Sequence, residues 1–213
     1  MKTRFIMIRH GFSVANNEKR FAGHSDFPLT ELGLLQAEKC AEALKDEKID
    51  VIYASDLSRA FSTAIPVAKS HSLEIIPHKG LREIYAGKWE GERFDDIIIK
   101  YPEDFGVWRT DIGRARCTDG ESVAELFERV TSTLASLASV HEGQTICIAT
   151  HATPIRAVTT AALGGSAENM AGVAWATNAS LNIFDYEDGK FSAVALSVAD
   201  HLGDLRTALP SNV

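Results

Sequence analysis

Two imidazoles, two guanidinium groups and a carboxylate stand where their side chains could do chemistry. They are Arg9 and His10 in Arg9-His10-Gly11, Arg59 in Ser55-Asp56-Leu57-Ser58-Arg59-Ala60, Glu83 in Leu81-Arg82-Glu83-Ile84-Tyr85, and His151 in Thr150-His151-Ala152-Thr153-Pro154. An imidazole can attack or carry a proton near neutral pH. A guanidinium presents a planar, permanently charged fork to an anion. A carboxylate can give and take a proton. Taken singly, each residue also has a plainer reading. His10 fits an ordinary surface loop, Arg59 a solvated helix face, His151 a hydrogen-bonded structural role, and Glu83 a salt bridge to Arg82.

Position separates these readings. Thr3 to Ile8 is a short apolar run with β-compatible residues and reads as a buried strand. Residues 30 to 45 read as a helix capped by Thr30, with Leu34, Ala37, Ala41 and Leu44 on one face. A second strand is expected over Ile49 to Tyr53, a second helix over Leu57 to Ser70, and a weaker strand over Leu73 to Pro77. Residues 88 to 120 break this rhythm and read as an inserted subdomain or lid, with a short helix near 92–100. Ser122-Val-Ala-Glu125 is a capping box that opens a helix to about Val140. Thr145 to Ala149 is another buried strand, and Pro154 suits the first turn of a following helix. Asp188-Gly189 marks a hairpin between Leu181 to Tyr186 and Phe191 to Ser197.

Alternating strands and helices with near-continuous apolar strands predict an α/β fold with a mainly parallel sheet. Such sheets bind ligands beyond the carboxyl ends of their strands. Arg9-His10, Ser55 to Arg59 and Thr150-His151 each follow a strand, so three polar clusters fall where a site would be built. Gly11 would let the backbone approach a ligand closely.

The whole chain sets bounds on function. Its 213 residues suffice for one large domain, and 45% hydrophobic with 24% charged residues is ordinary for a soluble globular protein. A formal net charge of −7 argues against nucleic acid or an anionic membrane as partner, though a few convergent cations can still hold an anion. Cys40, Cys117 and Cys147 form no C-x-x-C pair and read as reduced structural thiols, with Cys147 in the core. The apolar run from Phe5 to Ile8 is too short for a signal peptide, and no stretch reaches membrane-spanning length, so the expected compartment is the cytoplasm.

The motifs taken together resemble the histidine phosphatase superfamily, also called phosphoglycerate mutase-like. They run in order: Ile8-Arg9-His10-Gly11 with Asn16, Arg20-Phe21-Ala22-Gly23, Asp26-Phe27-Pro28-Leu29-Thr30, Tyr53 to Ala60 continuing to Thr63-Ala64, Leu81-Arg82-Glu83-Ile84 with Gly87-Lys88-Trp89-Glu90-Gly91, Gly120-Glu121-Ser122, and Thr150-His151. The resemblance spans about residues 3 to 160, and more loosely to 197. It implies a three-layer α/β sandwich, mainly parallel, forming a single domain over 1–213 with 88–120 as the inserted lid region. It also implies a metal-independent phosphatase with no cofactor. His10 would be the nucleophile and Glu83 the acid. Arg9, Asn16, Arg59 and His151 would hold the phosphate, and Arg20, Phe21 and Ala152 would meet the rest of a small phosphorylated substrate.

The physical chemistry agrees with that assignment. Phosphoryl transfer spreads negative charge over three oxygens, which two arginines can clamp in place of a metal. The same arginines would disfavour protonation of His10 and keep a nitrogen free to attack. Two positions depart from the family pattern. Phe12 stands where a Glu is common, and Ala152-Thr153 where a glycine pair is common. The acid-bearing motif is similar to the phosphatase branch rather than the mutases. A mutase is the alternative, and a non-catalytic phospholigand-binding protein a third reading. Arg82, Tyr85 and Trp89 are candidates to shape the pocket, Arg109, Arg114 and Arg116 to meet a second anionic group or to face solvent, and Trp175 with Asn178 to Ser180 to serve structure. The sequence is silent on oligomeric state.

Overall fold

The apolar run near the N-terminus forms β1 (Thr3–Arg9), buried along nearly its whole length. The computed structural model describes residues 1–208 and adds β2 (Val51–Ala54), β3 (Ile75–Pro77), β4 (Thr145–Thr150), β5 (Leu181–Glu187) and β6 (Lys190–Val198). The sheet order is β3-β2-β4-β1-β5-β6. The first four strands in that order run parallel, and β5 and β6 are antiparallel. The helices are α1 (Val14–Asn17), α2 (Glu31–Leu44), α3 (Ser58–His71), α4 (Phe94–Lys100), α5 (Pro102–Thr110), α6 (Val123–Val140) and α7 (Ala152–Ala162).

Alternation along the strands divides the core in two. Phe5 and Met7 of β1, with Ile146 and Ile148 of β4, face Leu126, Val130 and Leu134 of α6 and Val158 of α7. Ile6 and Ile8, with Cys147 and Ala149, face Cys40 and Leu44 of α2 and Val67 of α3. A sheet covered on both faces needs apolar residues at every strand position, which is why β1 and β4 read as continuous apolar runs. The expected three-layer α/β sandwich is therefore present. Ser122 and Glu125 form the expected capping box, and Thr30 accepts from the Gly33 amide at 3.1 Å. Asp188 and Gly189 both have positive φ, the conformation that a tight hairpin of this twist requires. Residues of the 88–120 segment, among them Trp89, Ile97, Phe105 and Cys117, bury into the same cluster as Phe5 and Met7.

One expectation for α2 is corrected. Leu34 is half exposed, and Gln36, not predicted, is fully buried on the core side. Its amide accepts from the Phe12 N–H at 2.7 Å and donates to the Leu205 carbonyl at 2.7 Å, so it ties two loops to the helix. Gly11 and Gly33 of α2 pack closely: a Cβ on Gly11 would lie 2.5 Å from the Gly33 carbonyl oxygen, and one on Gly33 2.2 Å from that of Phe12. This backbone contact seats the loop after β1. Gly33→Ala is expected to destabilise the fold by about 1–3 kcal/mol through overpacking and to lower turnover as well. Urea unfolding and an activity assay on the same preparation check this.

Candidate active site

Strand ends bring the candidate residues together. Arg9 pairs with Thr150 in the register of β1 and β4, and the His10 amide donates to the Thr150 carbonyl at 2.9 Å. His10 and His151 lie side by side, ring centroids 5.3 Å apart. His10 Nδ1 is 2.8 Å from the Gly11 carbonyl oxygen. A carbonyl can only accept, so Nδ1 carries the proton and Nε2 of the neutral ring keeps its lone pair. Burial, then Arg59 and Arg9, hold the His10 pKa well below the ordinary histidine value, which keeps the ring neutral.

The two guanidinium groups are fixed by backbone carbonyls. Arg9 donates to Ala176 at 2.6 Å, and Arg59 to Ser25 at 2.9 Å and Gly23 at 2.7 Å. The 23–25 loop that holds Arg59 is itself organised by Glu90, whose carboxylate accepts from the His24 and Ser25 amides. Burial lowers both arginines to about 10, which leaves them charged at neutral pH. Among the described residues three buried nitrogens have no hydrogen-bond partner: Arg9 Nε, Arg59 Nε and His151 Nδ1. Buried polar atoms are normally satisfied, so such donors mark a place for an acceptor.

His151 supplies its donor through a second hydrogen bond. Its Nε2 is 2.8 Å from Ser55 Oγ, which already accepts from the Leu57 amide, so the serine O–H is free to donate to Nε2. In that arrangement the proton of the neutral ring stands on Nδ1. Burial, with Arg59 and His10 adding to it, lowers the His151 pKa well below the ordinary value. Asn16 Oδ1 accepts from Ser13 N, Ser13 Oγ and Asn178 Nδ2, which turns its NH2 end to the cavity it lines. Glu83 lines the same cavity and accepts from its neighbour Ile84 N at 2.9 Å and from Thr153 N, in the first turn of α7, at 3.4 Å. Among the described residues no three His, Cys, Asp or Glu side chains gather in a way that would hold a metal ion.

The structure thus collects Arg9, His10, Asn16, Phe21, Arg59, Glu83 and Ala152 around one cavity, with His151 buried against it. It corrects other expectations. Arg20 does not reach the cavity, because Glu18 and the Gly91 carbonyl hold its guanidinium at 2.6 and 2.9 Å. Arg82 pairs with Asp56 at 2.6 Å rather than with Glu83. Arg114 and Arg116 pair with Asp111 and Glu125, and Arg109 is exposed. Trp175 lines the cavity instead of serving structure alone. Asn178 donates to the His10 carbonyl at 3.0 Å as well as to Asn16. Both residues precede β5, whose antiparallel pairing sets Leu181 beside Ile8 and so carries this loop to the end of β1. The sequence signals the hairpin but not which strand it joins.

Comparison with known proteins agrees with this arrangement. Residues 5–199 match the histidine phosphatase superfamily (branch 1). A phosphoserine phosphatase of Hydrogenobacter thermophilus is 33% identical over 204 residues, covering 94% of this chain and 95% of that one. A phosphoglycerate mutase-like protein of Arabidopsis thaliana is 34% identical over 189 residues, 86% of this chain and 80% of its own. The structure of a mycobacterial glucosyl-3-phosphoglycerate phosphatase superposes with a TM-score of 0.84 at 26% identity, covering 93% of this chain and 100% of that one. The chain belongs to the histidine phosphatase superfamily. It is a phosphatase, a hydrolase of phosphoesters.

Two buried neutral histidines make stability depend on pH. The unfolded chain binds protons near 6.5 that the folded one refuses, so stability is full above that value and falls as pH drops below it. Each histidine contributes a slope of up to about 1.4 kcal/mol per pH unit. Thermal unfolding between pH 7 and pH 5 should be less pH-dependent in His10→Asn than in the parent.

Proposed function

We propose that the chain hydrolyses phosphomonoesters of small metabolites through a phosphohistidine on His10, without a metal or cofactor. The observation that carries the reading is a bare His10 Nε2 beside three unpartnered buried donors. Arg9 and Arg59 bind the phosphoryl oxygens, and Asn16 and His151 add neutral donors. His10 Nε2 attacks phosphorus as the bond to the alcohol oxygen breaks, and Glu83 protonates that oxygen. Water then attacks the phosphohistidine, Glu83 takes its proton, and His10 is regenerated with inorganic phosphate released. Ala152 and Thr153, in the first turn of helix α7, line the same cavity, and the Thr153 amide faces the Glu83 carboxylate.

The chain acts as one domain with the 88–120 segment as a lid, since Phe94 and Trp108 of that segment line the cavity. The reading places the protein in the cytoplasm, on its three buried free thiols. Its charge of −7 disfavours nucleic acid and anionic membranes as partners. Among the described residues no helix is long and apolar enough to cross a membrane.

His10→Ala is expected to lower kcat/KM on an aryl phosphate by on the order of 10⁴ or more, and Arg59→Ala by about 10²–10³. Activity should survive EDTA, and acid-labile phosphate should be trapped on the parent enzyme and not on His10→Ala. Full activity in His10→Ala would sink the proposal. Exchange between phosphoglycerates that requires a bisphosphoglycerate primer and outpaces hydrolysis would instead establish the mutase alternative.

A further inference from the structure

The clamp accounts for the phosphate corner of the cavity but not for the rest of its wall. That wall is Phe21, Ala22, Phe94, Trp108, Ala152 and Trp175. The rings pack into one another: Phe21 meets Trp108 at 5.1 Å and Phe94 at 5.8 Å between centroids, and Trp108 stacks on Trp175 at 6.3 Å. They therefore form a continuous, preformed apolar surface rather than scattered side chains. Charge is confined to Arg9, Arg59 and Glu83, while the neutral His10 ring, Asn16 and Thr153 add uncharged polar groups.

Nearby cations are engaged elsewhere. Arg20 is held by Glu18, Arg82 by Asp56, and Arg156 donates to the Met170 and Ala171 carbonyls. Arg156 is buried against the Trp175 ring, 4.3 Å from its centroid, and is not among the residues lining the cavity. A carboxylate on the substrate's organic part would thus be desolvated beside aromatic rings and Glu83, and the cations that line the cavity are the two of the clamp, which the phosphate occupies; Arg156 keeps its charge but stands on the Trp175 ring outside that lining. An apolar or aromatic group would instead cover the wall and release its water.

We infer that the substrate class is the phosphate monoester of an uncharged alcohol bearing an apolar or aromatic group, and that Trp175 is a specificity determinant for it. This rests on the phosphatase reading above and narrows it, because the carboxylate-bearing phosphoserine named for several relatives does not fit this wall.

The test compares kcat/KM for 2-phenylethyl phosphate, ethyl phosphate, phosphoserine, phosphoglycolate and phosphocholine, whose leaving groups are all alkyl alcohols. p-Nitrophenyl phosphate serves as a general probe of turnover. Phenylethyl phosphate should exceed phosphoserine and phosphoglycolate by about 10²-fold, the scale at which a site rejects a group whose charge it leaves unpaired. Trp175→Ala should lower the phenylethyl-to-ethyl ratio about tenfold, and Trp175→Phe should restore most of it. Phosphoserine at or above phenylethyl phosphate would overturn the inference. So would a preference for phosphocholine, which would mean cation recognition by the rings, or an unchanged ratio in a folded Trp175→Ala. Turnover of every ester at similar rates overturns this inference and leaves the phosphatase standing. No turnover of any ester, p-nitrophenyl phosphate included, overturns both.

Discussion

Everything in this molecule depends on holding two guanidinium groups dry at the carboxyl edge of a parallel sheet. Arg9 and Arg59 are almost completely buried, and no carboxylate forms a salt bridge with either among the described residues. Their fixed partners are backbone carbonyls of Ala176, Ser25 and Gly23. Carbonyl dipoles orient a cation without cancelling it, so the positive potential is preserved for an anionic ligand. The same potential, added to burial, keeps His10 and His151 neutral. One electrostatic constraint therefore prepares both the proposed anion clamp and the proposed nucleophile.

Those carbonyls come from loops far apart in the chain, and much of the remaining structure fixes these loops. Glu90 gathers the amides of residues 24 and 25, so the loop presents its carbonyls to Arg59. Arg129 donates to the Gly80 and Arg82 carbonyls and pairs with Glu121, which seats the segment bearing Glu83. Thr63 accepts from the Gly11 amide and donates to the Arg59 carbonyl, joining the two arginine-bearing segments through a single hydroxyl. Such chains of satisfied hydrogen bonds make the positions mutually dependent.

The fold separates generic chemistry from selectivity. The clamp and His10 sit on strand ends and the following turns, where packing on both sheet faces leaves little freedom. The wall that meets the substrate's organic part comes from loops and from the 88–120 segment, through Phe21, Phe94, Trp108 and Trp175. On the proposed reading, these segments are where the accepted alcohol can change while the strand-end residues stay as they are.

Much of this was legible in the sequence. Apolar runs followed by turn and cap signals placed β1, β2 and β4, and therefore placed Arg9, His10, Ser55 and His151 at strand ends, because local patterning and strand direction suffice for that. The roles of Glu83 and Arg59 came from the resemblance of their motifs to the family, since each residue alone reads as an ordinary surface group. Tertiary structure alone decided the partners. Gln36, outside the apolar face read for α2, is a buried tie because two loops cross that helix. Gly11 lies against the backbone of Gly33, a contact that local patterning does not announce. Arg20 was expected in the pocket and is held away by Glu18 and Gly91. Asn178 and Trp175 reach the site only because β5 pairs antiparallel with β1, a long-range choice that periodicity cannot carry. Local sequence determines which residues end a strand and what chemistry they hold. Which of them meet, and what surrounds the substrate, is set by contacts between segments distant in the chain, and those exist only once the sheet has closed.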